Sequence, residues 1–441
     1  MLRFGTDGVR GVALTEVTTE YVHSLGAAAA VVMNGSRWLV ARDTRESGPA
    51  LETALVAGLS SRGQATQLCG VLPTPALALL SARLGLPAAM ITASHNPYSD
   101  NGVKIFAAGG VKLSDAVEAR IERQLAAEIS APAGANDVVS DSTVVHGAVE
   151  QYVDHLVAMF APSALADVRV VIDCANGAMS VAAPAVLVAL GATVTVIHAQ
   201  PSGVNINEAC GATHPASLGD AVREARADAG LAFDGDGDRV IAVDGGGRVV
   251  DGDRLLALAA LQMKAHGELT HNTVVVTVMS NLGFHRAMRT ADIHVVSTDV
   301  GDRYVLEALE AGDFAIGGEQ SGHIIYRHLA TTGDGLLAGL RLLQNVKQSG
   351  SSLEHMAAAV MTSYPQVLVN VRVGVRHPDI ASELAVEIAA AEALLGGDGR
   401  VLVRSSGTEP LVRVMVEAPT DAAAREVANS VAAVVQTRFG N

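Results

Sequence analysis

Aromatic side chains are scarce: they make up 3% of the 441 residues, with one tryptophan, although hydrophobic residues in total reach 49%. Cores with so few rings must be filled by Ala, Val, Leu and Ile, a composition that suits packed α/β layers. Cysteine is almost absent. Cys69, Cys174 and Cys210 are an odd number without CxxC spacing, which argues against a disulfide framework and a thiolate zinc site and points to a reducing compartment. Positive charge is in deficit, with 31 Lys and Arg against 46 Asp and Glu and a formal net charge of −15. Binding to nucleic acid or an anionic membrane through a basic patch is thereby disfavoured, and neither partner is expected. An acidic chain that binds an anion must concentrate its cations locally.

Long apolar runs are missing as well. The stretch from Cys174 to His198 carries no formal charge, but Asn176, Gly177, Pro184 and Gly191 interrupt it, and Gly191 divides a short helix pattern from the strand pattern TVTVIH. No membrane span is expected. The start, MLRFGTDGVRG, has no apolar h-region, so it reads as mature structure and a cytoplasmic location is expected.

Short β-branched runs recur with helical segments between them: WLVA near 38, AAMIT near 88, VRVVID near 168, TVTVIH near 193, VVVTV near 274 and HVVST near 294. Such alternation implies βαβ units and largely parallel sheets. From Pro365 the pattern changes to strand-like runs, VLVNVRV, RVLVRSSGTEP and LVRVMVE, with Ala-rich helices near 379–395 and 420–437. The length allows several cores. The fold class expected is α/β: three doubly wound α/β domains of related plan plus a smaller C-terminal α+β domain, arranged around one central cleft. Expected boundaries are 1–154, 155–252, 253–364 and 365–441. Ligands of open α/β sheets gather at the carboxyl ends of strands, where the polar, Gly-rich strings of this chain fall.

Thr92-Ala93-Ser94-His95-Asn96-Pro97 follows the apolar strand AAMI. Ser94 is expected to be exposed enough to react. Its hydroxyl needs a base or electrophilic help, for which His95 and Lys104 are nearby, while the string read alone also fits a serine capping a helix. In Asp234-Gly235-Asp236-Gly237-Asp238-Arg239 the glycines let three mutually repelling carboxylates converge on a hard cation, Mg2+ being the natural one. A calcium EF-hand would need Gly and Glu where this chain has Arg239 and Gly245; a solvated acidic turn stays as the plain alternative.

Glu319 and Ser321, within Gly317-Gly318-Glu319-Gln320-Ser321-Gly322-His323, suit a polyol, though a Gly-rich turn with a capping Glu reads as well. Arg404-Ser405-Ser406-Gly407-Thr408-Glu409-Pro410, with Arg413 beyond, offers two guanidinium groups, three hydroxyls and a Gly-opened turn. That is a phosphate nest, or else a pair of solvated strand-face arginines. Arg10 in FGTDGVRG can hold a phosphoryl oxygen or pair with Asp7.

These five segments, in order from residue 4 to about residue 417, resemble the α-D-phosphohexomutase superfamily: TASHNP its phosphoserine loop, DGDGDR its metal loop, GEQSGH its sugar loop and RSSGTEP its phosphate loop. FGTDGVRG, Gln320, VMSNLGF at 278–284, TTGDGLL at 331–337 and YPQVLVNVRV at 364–373 are similar to the branch that works on amino-sugar phosphates. Ser405 departs from the pattern, since many relatives have Pro or Lys before SGTEP.

The resemblance implies interconversion of D-glucosamine 6-phosphate and D-glucosamine 1-phosphate, on the route to UDP-N-acetylglucosamine and peptidoglycan. It implies a phosphoryl group resting on Ser94, glucosamine 1,6-bisphosphate as intermediate and activator, and one Mg2+ held by Asp234, Asp236, Asp238 and a phosphoserine oxygen. Lys104 is then the general acid or base, with His95 and Arg10 supporting the phosphoryl group. Arg239, Glu319, Ser321 and His323 belong to substrate binding, and Arg404, Ser405, Ser406, Gly407, Thr408 and Arg413 to the phosphate that is not transferred. A kinase or bisphosphate donor must prime Ser94, a mobile last domain would let the intermediate reorient, and the oligomeric state is left open, a homodimer included. The rivals are a phosphomannomutase/phosphoglucomutase, an aspartate-nucleophile phosphatase built on DGDGDR, which leaves TASHNP and RSSGTEP unexplained, and a catalytically silent sugar-phosphate sensor.

Overall fold

The computed structural model describes residues 2–5, 7–33, 35–130, 141–406 and 410–440. Two compact units divide the chain, one of Met1–Met279 with Ile293–Ala359, the other of Ser280–Asp292 with Val360–Asn441.

The first unit holds three sheets, and each contains the same device. Strand Ala88–Ile91 runs parallel to Arg37–Arg42, leaves through residues 92–99, and returns antiparallel to itself as Asp100–Ala107. Ala229–Phe233 runs parallel to Arg169–Asp173 and returns through residues 234–239 as Val240–Asp244. Ile316–Gly318 runs parallel to Thr273–Thr277 and returns through residues 319–323 as Ile324–Tyr326. Three of the strings singled out in the sequence therefore sit at the carboxyl ends of strands buried in parallel pairing, as open α/β sheets favour. Because a strand and not a helix follows residues 92–99, Ser94 caps no helix.

Burial drives the layering. Leu25, Leu51, Leu55 and Leu59 from helices Thr19–Met33 and Gly48–Ser60 pack with Trp38, Val40, Ala89 and Ile91 of the first sheet into one aliphatic core. Helix limits follow local chemistry. Asp251 caps Gly252–His266 by accepting from the Arg254 amide, and Gly267, left-handed at φ 72°, ends it. Asp334 caps Gly335–Ser349 by accepting from the Leu337 amide at 2.9 Å. The uncharged stretch after Cys174 divides into helix Met179–Ala189 and strand Thr193–Ile197. Among the described residues no helix is long and apolar enough to cross a membrane.

The second unit is built on a three-stranded antiparallel sheet in which Leu411–Glu417 lies between Gln366–Arg372 and Arg400–Ser405. Helix Asp421–Phe439, capped by Thr420, lays Val427, Val431 and Val435 in a core with Val412, Val414 and Val416. The Ala-rich helices expected near 379–395 take the form of Ile380–Glu383 and Ala385–Leu394. Helix Leu282–Thr290 falls within this compact unit. The reason is a buried carboxylate: Glu417 accepts from the Leu282 amide at 3.1 Å and pairs with Arg400, whose guanidinium also donates to the Ser280 carbonyl at 2.8 Å.

Candidate active site

Ser94 stands at the centre of the first unit. Its backbone is left-handed, at φ 53°, a conformation that costs a residue with a Cβ and persists only when the surroundings enforce it. Those surroundings are identifiable. The Ser94 amide donates to Thr92 Oγ1 at 2.9 Å, and Thr92 Oγ1 donates to Asp43 Oδ2 at 2.7 Å. Asp43 in turn holds the fully buried Arg45, which donates through Nη2 to the carbonyls of Ser94 at 2.9 Å and Asn96 at 2.8 Å. Asn207 Nδ2 donates to the same two carbonyls, at 2.9 and 3.0 Å.

The expectation that Ser94 is exposed is corrected: its relative exposure is 0%. The hairpin 234–239 covers it so closely that a Cβ at Gly235 would stand 2.6 Å from the Ser94 carbonyl oxygen, a separation only glycine avoids. The buried hydroxyl donates to Asp234 Oδ2 at 2.6 Å and lies 3.5 Å from His95 Nδ1.

Asp234, Asp236 and Asp238 converge as alternation with glycine suggests, their nearest carboxylate oxygens within 4.8 Å of one another. Gly237, at φ 77°, supplies the reversal. Lys104, on the return strand, is 2% exposed and donates to Asp236 Oδ2 and Asp238 Oδ2, both at 2.7 Å, and pairs with Asp7 at 2.8 Å. Thr74 Oγ1 adds a bond to Asp236 Oδ2 at 2.6 Å. Arg10 pairs with Asp7, the alternative open in the sequence.

Electrostatics follow from this crowding. Burial, then Asp238 and Asp236, push the Asp234 carboxyl up to about 8. Burial alone would raise Asp238 too, but Lys104 and His323 hold it well below the usual carboxylate range. Burial alone would lower Lys104, whereas Asp236, Asp238 and Asp7 keep it firmly charged. His95 is pushed down to about 4 by burial and then by Arg239 and Arg10, so at neutral pH it is an uncharged imidazole.

Mg2+ fits these residues on one direct test. Asp236 Oδ1 and Asp238 Oδ1 are buried acceptors without a hydrogen-bond partner among the described residues, and unsatisfied buried carboxylate oxygens in an all-oxygen cluster are what a hard cation takes up.

The loop 319–323 abuts the same hairpin, the Val240 amide donating to the Gly322 carbonyl at 3.1 Å. Arg239 is kept charged against burial by Asp234, Asp238 and Glu319, so Glu319 belongs to the same field. Ser321 Oγ donates to Glu319 Oε2 at 3.3 Å. His323, assigned from the sequence to substrate, is 2% exposed and is set behind the carboxylates: Nδ1 lies 3.5 Å from Asp238 Oδ1 and Nε2 accepts from the Gly333 amide at 3.1 Å. Asp302, near His323 Nε2, also pairs with Lys112, and Lys112 reaches Asp7 at 2.6 Å.

In the second unit, Arg404 and Arg413 are direct cross-strand partners, so their side chains share one face of the sheet. Ser406 is buried, and the Ser405 hydroxyl proton is donated to the His377 carbonyl, which leaves that hydroxyl only acceptor capacity toward an anion. Gly407 and Thr408 lie outside the described residues.

Sequence reasoning missed Asp43, Arg45, Thr74, Thr92, Lys112, Asn207 and Asp302. Their partners lie up to 190 positions away, so no local pattern marks them.

Four matches cover the chain: phosphoglucomutase/phosphomannomutase alpha/beta/alpha domain I at residues 1–131, domain II at 150–247, domain III at 251–364 and the C-terminal domain at 368–434. The chain belongs to the phosphoglucomutase/phosphomannomutase family, the α-D-phosphohexomutases. Phosphoglucosamine mutase of Frankia casuarinae is 53% identical, with 98% of each chain covered, that of Rhodococcus jostii 52%, again with 98% of each, and that of Mycobacterium bovis 51%, with 98% of this chain and 99% of the relative. Within the family its place is thus among the phosphoglucosamine mutases. Among solved structures, a phosphomannomutase of Thermus thermophilus superposes with a TM-score of 0.80 at 25% identity, covering 99% of both chains. N-acetylphosphoglucosamine mutase of Aspergillus fumigatus, in complex with GlcNAc-6P and magnesium, shares the fold with a TM-score of 0.70 at 20% identity, covering 99% of this chain and 96% of that one.

Arg45 is the strut under the Ser94 turn. Arg45→Met would strip the buried Asp43 of its guanidinium partner and leave the carbonyls of Ser94 and Asn96 with Asn207 alone of these two donors, and breaking one side of such a buried pair costs about 3 kcal/mol or more. A lower denaturant midpoint is expected, measured by circular dichroism; an unchanged midpoint would show that the turn stands without it.

Proposed function

We propose that the chain interconverts D-glucosamine 6-phosphate and D-glucosamine 1-phosphate through a phosphorylated Ser94. The observation that carries the reading is the Ser94 hydroxyl hydrogen-bonded to the first carboxylate of a buried three-aspartate cluster. Full-length similarity to phosphoglucosamine mutases supports the choice of amino sugar.

In the forward transfer the Oγ–P bond of phosphoserine breaks as the free sugar hydroxyl forms its own bond to phosphorus, giving glucosamine 1,6-bisphosphate. Lys104, charged at rest, gives its proton to Ser94 Oγ as the Oγ–P bond breaks and takes the sugar hydroxyl proton in its place, and Arg10 and the neutral His95 steady the phosphoryl oxygens. In the return transfer Ser94 Oγ takes the other phosphoryl group, so the enzyme ends phosphorylated and the monophosphate is exchanged. Mg2+ held by Asp234, Asp236, Asp238 and a phosphoserine oxygen would neutralise charge developing on the transferred group. Arg239, Glu319 and Ser321 bind the sugar, with His323 bracing Asp238 from behind. Ser94 is primed by a kinase or by the bisphosphate itself, and the enzyme works in the cytoplasm, supplying the route to UDP-N-acetylglucosamine.

Arg404, Ser406, Gly407, Thr408 and Arg413 take the phosphate that is not transferred. Two guanidinium groups directly opposite on neighbouring strands share one face of the sheet, which supports an anion bound by both.

Ser94→Ala is expected to lower mutase turnover by several orders of magnitude in a coupled assay, because no other group receives the phosphoryl. Near-normal turnover would sink the phosphoserine reading.

Asp236→Asn removes one of three converging charges. A higher Mg2+ requirement and slower turnover are expected, while the parent's metal titration would place the cation elsewhere.

Arg413→Ala should cut catalytic efficiency by at least about tenfold with both monophosphates, as loss of a charged phosphate contact does. Unaltered affinity for both would make the C-terminal loop scaffold.

A further inference from the structure

The chain's cysteines have no metal-binding spacing, yet the fold assembles a mixed ligand set that spacing does not reveal. Strands Arg169–Asp173 and Thr193–Ile197 are parallel neighbours with Asp173 opposite Ile197, so Asp173 and the next residue after the second strand, His198, meet at their carboxyl ends. Cys210 arrives on the following loop, held there by the Gly211 amide donating to Asp173 Oδ2 at 2.9 Å. One ligand atom from each of Asp173, His198 and Cys210 falls within 4.8 Å of the others.

Asp173 and Cys210 are fully buried, whereas His198 is one-third exposed and leaves an entry path. His198 Nδ1 is itself shielded from solvent and lies 3.0 Å from Asp173 Oδ2, but makes no hydrogen bond among the described residues. A buried imidazole nitrogen facing a carboxylate and a thiol without a bonded partner is an unmet demand of the kind a cation satisfies.

We propose that Asp173, His198 and Cys210 form a second metal site, for Zn2+ or a cation of similar softness, separate from the oxygen-only cluster of Asp234, Asp236 and Asp238. Imidazole and thiolate select Zn2+ or Co2+ over Mg2+, and three protein ligands leave a fourth position for water on the exposed side of His198. Burial, then Asp173 and Glu208, push the Cys210 thiol up to about 12, so it is protonated when no cation is bound. On binding, the S–H bond breaks, the proton goes to solvent and the sulfur electron pair goes to the metal. Thiolate and carboxylate then balance the dication.

Position gives the site a consequence for the reacting centre. The loop after Asp173 is tied to His198 by the Asn176 amide donating to its carbonyl at 2.6 Å, and to the aspartate hairpin by the Ala178 amide donating to the Gly235 carbonyl at 2.9 Å. A metal here fixes the support on which that hairpin rests.

Co2+ tests the assignment, because a cobalt–thiolate bond absorbs in the near ultraviolet and cobalt on oxygen ligands does not. Reduced, full-length protein saturated with Mg2+ is titrated with Co2+ alone. The thiolate band is expected in the parent and in Asp236→Asn, and should vanish in Cys210→Ser, whose fold is checked by circular dichroism. His198→Asn, a change at the exposed ligand, should weaken Co2+ binding by at least about tenfold. Absence of the band in the parent, its survival in Cys210→Ser, or unaltered Co2+ affinity in His198→Asn would each overturn the proposal.

Discussion

Lys104 lies in a ring of carboxylates from which water is excluded, and much of the first unit is arranged to make that tolerable. Asp7, Asp236 and Asp238 each stand within 2.8 Å of its ammonium. Desolvating so many charges costs several kcal/mol per ion unless each finds a partner at close range. The partners come from separate parts of the chain: Arg10 and Lys112 on Asp7, Thr74 on Asp236 and His323 beside Asp238. Fixing one lysine thus fixes the N-terminal segment, the first two sheets and the loop 319–323 against one another within the unit.

A shared construction makes the gathering possible. Each sheet sends out a short loop at the carboxyl end of a parallel strand and takes the chain back as an antiparallel neighbour. Both ends of such a loop are anchored in the sheet, so its side chains are held without a flexible helix connection. Ser94 shows the result. Its left-handed backbone is sustained by the buried Asp43–Arg45 pair and by Asn207, and the hydroxyl is delivered to Asp234 rather than to solvent. Preorganisation of this kind is what phosphoryl transfer, which depends on position and charge, demands of a protein.

The sequence was informative wherever chemistry is local. β-Branched runs such as VRVVID and VVVTV read as strands because burial and period act over a few residues, and they are the strands Arg169–Asp173 and Thr273–Thr277. Acid–glycine alternation in DGDGDR announced converging carboxylates for the same reason. Interactions between distant positions left no trace: Arg45 looks like any loop arginine until Asp43 and the carbonyls of residues 94–100 surround it. Ser94 read as exposed because its string is polar, while the hairpin that covers it is 140 positions away. The bond from the Leu282 amide to the buried Glu417 joins positions 135 apart, and helical periodicity does not report it.

The account's central claim is that Ser94 carries the phosphoryl group through the reaction. Intact-mass analysis of phosphatase-treated protein, before and after incubation with glucosamine 1,6-bisphosphate and Mg2+, tests it most directly. A gain of one phosphoryl mass, mapped to the peptide containing Ser94 and matched by release of glucosamine monophosphate, is the result the account requires. No gain, or a phosphoryl group found on an aspartate of the hairpin, would contradict it.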